Sequence, residues 1–143
     1  VELPQAFGDG HDRVRSLGDR LGPLLVRLAD KKERDEDFLA RLLAAIDDDL
    51  DVALDLLHPS WDGIEPEITR RGAVRVNQLD APAPFRYVRL REPPYDDAAL
   101  GAWADRLRPL LDDGIAVHCY FRHEDEPTAP AYARRLLELV DAG

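Results

Sequence analysis

The sequence predicts a protein of the α/β class, in which parallel strands alternate with helices. Two observations support this class: five short segments are apolar on both faces, and segments with apolar residues at helical spacing separate them. The predicted strands are 24–28, 51–57, 73–76, 85–90 and 115–121. Such strands need helices on both sides of a sheet or outside a closed barrel, and periodicity alone does not separate these two architectures.

Capping and helix-ending residues set the limits of the predicted helices. Five helices are expected, and they begin near Asp12, Asp35, Pro66, Asp96 or Asp97, and Thr128. Gly72 and Gly114 are placed to end two of them, because glycine readily adopts the left-handed conformation found just past a helix. The acidic run 47–49 should end a third, since negative charge is unfavourable at a helix carboxyl end. Pro109 is expected to kink the last turn of the long helix.

Composition argues against several classes of function. The 19 basic and 29 acidic residues give a net charge of −10, which repels nucleic-acid phosphates and anionic membrane surfaces. No apolar run approaches the roughly 20 residues of a membrane span. The single cysteine, Cys119, allows no disulfide framework and fits a reducing compartment. We therefore expect an acidic cytoplasmic protein without nucleic-acid or membrane partners.

One apolar segment ends in a polar and aromatic cluster. The strand predicted at 51–57 is followed by His58, Pro59, Ser60 and Trp61, and the proline stops the strand. In parallel α/β folds, ligands bind at the carboxyl ends of the strands. This cluster therefore marks the edge at which a site is expected.

Polar side chains follow other predicted strands as well, and they lie on the same side if all five strands are parallel. His58 is a candidate general base, with Asp80 orienting it. Arg89 is a candidate for holding a phosphate or carboxylate, because arginine forms charge-assisted bonds to such groups. The further candidate ligand-binding residues are Arg27, Trp61 and His123.

The same residues also have a structural interpretation. His58 and Trp61 would then pack a loop over the end of the sheet, and Arg89 would pair with Asp55. His118, inside the last strand, is expected to be a core histidine. We predict no metal site and name no cofactor, because no His-x-His or Glu-x-x-His spacing occurs. The less favoured metal ligands are His58, Asp80, His123 and Glu124.

Five motifs occur in an order and spacing that resemble a known family. They are LGPLLV at 21–26, DLLHPSW at 55–61, YVRL at 87–90, YDDAAL at 95–100 followed by WA at 103–104, and YFRHED at 120–125 followed by AP at 129–130. Over roughly residues 15–141 the chain is thus similar to the YecE-like barrel family, a domain of unknown function.

The resemblance implies a TIM-barrel-like fold, because that family is a (β/α) barrel. This chain resembles the second half of the family, and the opening strands have no counterpart in it. The implied architecture is a single domain over residues 1–143, a partial barrel of about five βα units that lacks the N-terminal strands. Five strands cannot close such a barrel, so we expect self-association through uncovered strand edges.

Two functions from different classes are compatible with these observations. The chain departs from the family pattern at two places. Leu57 stands where the family usually has an arginine, and residues 27–30 stand where it usually has Gln-Leu-Pro-Pro. Both departures fall at strand ends, where a family ligand would be held. We therefore predict a barrel-fold protein of uncharacterised function that binds a small anionic ligand, without demonstrable catalysis in this chain. The alternative is a barrel enzyme of hydrolase or lyase type that acts on a small phosphate- or carboxylate-bearing substrate.

Overall fold

The computed structural model describes residues 21–122 and 125–143. The helix predicted to follow Asp12 and the candidate residue His123 lie outside these ranges. The chain divides into two compact units, and the boundary in the sequence falls between Asp62 and Gly63.

The first unit contains a parallel strand pair joined through a helix. Its described elements are β1 (Leu24–Arg27), α1 (Glu36–Ala44), β2 (Val52–Asp55) and a 3-10 turn (Pro59–Trp61). In the register of the pair, Arg27 lies opposite Asp55. The Asp35 carboxylate caps α1 by accepting a hydrogen bond of 2.9 Å from the backbone N–H of Phe38. Every residue of β2 is buried, as expected for a strand that is apolar on both faces.

The second unit repeats the alternation of strands and helices. Its elements are α2 (Glu65–Thr69), β3 (Ala73–Arg75), β4 (Arg86–Leu90), α3 (Asp97–Asp112), β5 (Val117–Phe121) and α4 (Ala129–Asp141). Strands β4 and β5 pair in parallel, with Arg89 opposite Tyr120. Val88 and Leu90 on β4 join a core with Leu100 of α3 and Leu136 of α4. One face of the β4–β5 pair is therefore covered by these two helices.

Helix α3 begins and ends as predicted. The Asp96 carboxylate accepts a hydrogen bond of 2.8 Å from the N–H of Ala99, and Pro109 lies inside the helix. Gly114 follows with a φ of 76°. The N–H groups of Gly114 and Ile115 donate back to carbonyls of the last turn, each at 2.9 Å, which is the Schellman pattern.

The α/β class is confirmed, with parallel strands alternating with helices in open sheets. Within the residues that the structure describes, the strands close no barrel. The last strand has an apolar sequence, but no residue of β5 is fully buried and Tyr120 is 46% exposed. On the last helix, Leu136 is buried whereas the neighbouring Leu137 is 62% exposed. No helix in the described ranges has the length and apolar character needed to cross a membrane.

Candidate functional site

A cavity of about 390 Å³ lies at the carboxyl end of β4, within the second unit; we call it the β4 cavity. Its polar lining residues are Asn77, Arg89, Arg91 and Glu92. Its apolar lining residues are Leu90, Pro94, Tyr95, Ala99 and Trp103. The cavity thus occupies the edge at which α/β folds commonly bind ligands.

Asn77 holds the backbone of Arg89 at this edge. Its side-chain Oδ1 accepts a hydrogen bond of 2.7 Å from the Arg89 N–H, and its Nδ2 donates to the Arg89 carbonyl at 3.1 Å. Its own N–H donates to the Tyr87 carbonyl at 2.9 Å, so one residue makes three bonds to β4. Asn77 achieves this with a φ of 64°, a conformation in which asparagine is enriched among non-glycine residues. These bonds attach the segment just after β3 to β4.

Arg89 lies on a face of β4 that also carries aromatic side chains. Phe85 and Tyr87 share that face, as the alternation of side chains predicts. Tyr87 stacks on Tyr120 with ring centroids 5.1 Å apart and on His118 at 6.5 Å. His118 is half-buried among these rings rather than fully buried, which corrects the expectation of a core histidine. A row of aromatic rings thus leads along the strands towards Arg89.

Arg86, in contrast to Arg89, is a structural arginine. It is 5% exposed, and its guanidinium donates to the carbonyls of Leu79 at 3.1 Å, Ala83 at 2.9 Å and Phe85 at 3.1 Å. A buried guanidinium needs such partners, because leaving its donors unsatisfied would be costly. These bonds fasten the connection between β3 and β4.

Arg75, at the end of β3, forms an ion pair with Glu65 of α2, with Nη1 and Oε1 2.7 Å apart. Burial alone raises the pKa of Glu65, but hydrogen bonds from Arg75, from a backbone N–H and from Gln78, together with the Arg75 charge, lower it below its ordinary value. Glu65 is therefore ionised at neutral pH. The pair ties α2 to the strand that precedes Asn77.

In the first unit, His58 and Ser60 form a local hydrogen-bonded cluster. The Ser60 Oγ accepts from the Arg34 N–H at 2.8 Å and lies 2.8 Å from the His58 Nδ1. The Ser60 N–H also donates to Nδ1, at 3.2 Å. Because Nδ1 accepts the hydrogen bond from the Ser60 N–H, the neutral ring carries its proton on Nε2. The cluster fastens the loop after β2 to the segment that precedes α1.

The other predicted residues of the first unit have structural contacts. The Trp61 side chain is fully buried, and its Nε1–H donates to the Lys32 carbonyl at 2.9 Å. Arg27 is exposed and bonds Asp30 at 2.9 Å. The hydrogen bond and charge of Asp30 raise the pKa of Arg27, with a smaller contribution from the charge of Asp55. Trp61 and Arg27 therefore each have a hydrogen-bond partner within the chain.

Asp80 is exposed in the loop after β3, where its N–H donates to the Gln78 side chain at 3.3 Å. It belongs to the second unit and His58 to the first, so their predicted cooperation stays a prediction. Of the predicted residues that lie within the described ranges, Arg89 is the one that lines the β4 cavity. Sequence reasoning missed Asn77, although a lone asparagine just after a strand is a signal for a left-handed turn.

The described residues give little support to a reactive cysteine or to a metal site. Burial raises the pKa of the Cys119 thiol to about 11, so the thiol is protonated at neutral pH and packs as a small apolar group. Within residues 21–122 and 125–143, no three His, Cys, Asp or Glu side chains are grouped to hold a metal ion.

Comparison with known proteins gives one match. The family model described as protein of unknown function DUF72 matches residues 3–143. No curated protein and no solved structure matches the chain. Since the family match covers nearly the whole sequence, this chain belongs to the DUF72 family, whose function is unknown.

Proposed function

We propose that this protein binds a small anionic ligand in the β4 cavity. The observation that carries the proposal is that Arg89 and Arg91 both line one cavity of about 390 Å³. In a chain with a net charge of −10, most of the surface repels anions, so a cavity lined by two arginines is the place where an anion would be attracted.

The chemistry of the lining residues suits a phosphate or a carboxylate. A hydrogen bond to a charged group contributes about 1.5–3 kcal/mol, and a guanidinium can make two parallel bonds to one such group. The Asn77 bonds fix the backbone of Arg89 before any ligand arrives, which lowers the cost of ordering the site. Glu92 opposes an anion, but its side chain is exposed and water screens its charge.

Calorimetric titration tests this proposal. The full chain would be titrated at low salt with phosphate, sulfate, acetate and small phosphorylated sugars. We expect Arg89→Leu to weaken binding at least tenfold, because it removes one guanidinium from the cavity. Arg134→Leu is the matched control, since Arg134 is exposed on α4 and outside the cavity. Absence of binding by every anion, or equal affinity in Arg89→Leu and the wild type, would refute the proposal.

We also propose that the chain is one cytoplasmic domain equivalent to the second half of a YecE-like barrel, and that it self-associates. The five described strands and their alternation with helices support the partial barrel. Among the described residues β5 pairs with β4 alone, which supports association through its other edge, because an unpaired strand edge offers backbone donors and acceptors.

Catalysis is the alternative proposal, with His58 as base and Asp80 orienting it in a hydrolase or lyase. The observation in its favour is that Ser60 fixes the orientation of the His58 ring, as a general base requires. The same bonds also cap the 3-10 turn, and a structural role accounts for them equally well. We further propose that Arg27, Trp61 and His123 contact a ligand.

A further inference from the structure

The β4 cavity is larger than an inorganic anion needs, and part of its lining is apolar. Its volume of about 390 Å³ falls within the range of about 300–1,000 Å³ that is typical of pockets for organic ligands. The lining contains two arginines, Arg89 and Arg91, and it also contains the apolar or aromatic residues Tyr95, Ala99 and Trp103.

Both aromatic residues of this wall are held in place by the protein itself. The Tyr95 hydroxyl accepts a hydrogen bond of 2.9 Å from the Glu92 N–H, and the Tyr95 ring meets Phe121 edge-on at 5.7 Å. The Arg106 guanidinium lies 4.8 Å from the centre of the Trp103 ring, in a cation–π contact. Neither side chain needs to be ordered by a ligand, so little entropy is lost when a ring packs against them.

Ala99 provides the space beside these rings. It occupies the first turn of α3, where it is half-buried, and a larger side chain at this position would extend into the cavity. The neighbouring Ala98 is exposed and is not part of the lining. These two alanines therefore form a matched pair for testing the apolar part of the cavity.

We infer that the ligand of the β4 cavity is an organic anion with a planar, apolar body, of the aryl phosphate or aryl carboxylate class. Its charged group would bind Arg89 and Arg91, and its ring would pack on the wall formed by Tyr95, Ala99 and Trp103. This inference rests on the proposed anion binding and adds the chemical nature of the ligand body.

Paired titrations test the inference. Phenyl phosphate is compared with inorganic phosphate, and benzoate with acetate, on the full chain. We expect each aryl anion to bind at least tenfold more tightly than its partner. Ala99→Leu should remove most of this preference, whereas Ala98→Leu, outside the cavity lining, should leave both the preference and the phosphate affinity unchanged.

Tryptophan fluorescence gives an independent measurement, because the chain contains two tryptophans and Trp61 is fully buried. Phenyl phosphate should quench the emission of the wild type, and Trp103→Phe should abolish this quenching.

The outcomes separate the two proposals. If no anion binds, the proposed function itself fails. If phosphate binds in an Arg89-dependent way and the aryl anions have no advantage, anion binding stands and the inference about the ligand body is overturned. The inference is also overturned if Ala99→Leu and Ala98→Leu retain the preference for aryl anions to the same extent.

Discussion

Replacement of Asn77 offers the sharpest test of how the candidate site is held together. Asn77→Ala removes the acceptor of the Arg89 N–H at 2.7 Å and the donor to the Arg89 carbonyl at 3.1 Å. It also leaves an alanine at a φ of 64°, where an L-residue without a bonding side chain is disfavoured. Asn77→Gly removes the same two bonds but tolerates the backbone conformation.

The expected loss follows from these two contributions. Two hydrogen bonds with a net value of about 0.5–1.5 kcal/mol each give about 1–3 kcal/mol. The left-handed backbone adds about 1 kcal/mol for alanine and little for glycine. Asn77→Ala should therefore lower the free energy of unfolding by about 2–4 kcal/mol, and Asn77→Gly by about 1 kcal/mol less.

Urea titration measures the global effect, as a shift of the midpoint at unchanged slope. Amide hydrogen exchange measures the local one, because the Arg89 N–H should exchange faster in both variants once its acceptor is lost. The reasoning is refuted if Asn77→Ala costs less than about 0.5 kcal/mol, if alanine and glycine have the same effect, or if exchange at Arg89 does not change.

Two other predictions concern acid stability and assembly. Hydrogen bonds from Arg135 lower the pKa of Asp97 below its ordinary value. The contact between Asp97 of α3 and Arg135 of α4 therefore stabilises the protein at pH values above the unfolded-state pKa of about 3.9. This stabilisation is lost as the pH falls through the lower folded-state pKa. The stability difference between wild type and Asp97→Asn should accordingly be constant near neutral pH and shrink below about pH 4, with the exposed Glu126→Gln as control; a difference that grows in acid would contradict this sign. The edge of β5 that does not pair with β4 should make the isolated chain self-associate in light scattering. A strictly monomeric chain with one sharp urea transition would count against an uncovered strand edge.

Features that depend on near neighbours in the chain could be predicted well. Asp35 and Asp96 each bond an N–H three residues further on, and Gly114 ends a helix through its own backbone conformation. Such contacts are set by short-range geometry, so residue type and spacing are sufficient to place them. The alternation of strands and helices, and hence the α/β class, follows from hydrophobic periodicity in the same way.

Burial and side-chain roles required the tertiary structure. β2 and β5 have similarly apolar sequences, yet β2 is fully buried and β5 is not, because exposure depends on which elements cover a strand. Arg86 and Arg89 differ by three positions in one strand, but one is fastened to carbonyls and the other lines a cavity.

The fold class, the helix ends and the presence of an arginine at the carboxyl end of a strand could be predicted from residue types and spacing alone. Only the tertiary structure placed that arginine, Arg89, beside Asn77, which is 12 residues away in the chain, and beside Trp103 of the following helix. The physical reason is that a binding cavity is formed by residues distant in sequence, whose approach is decided by the packing of whole strands and helices and not by the local preferences of any segment.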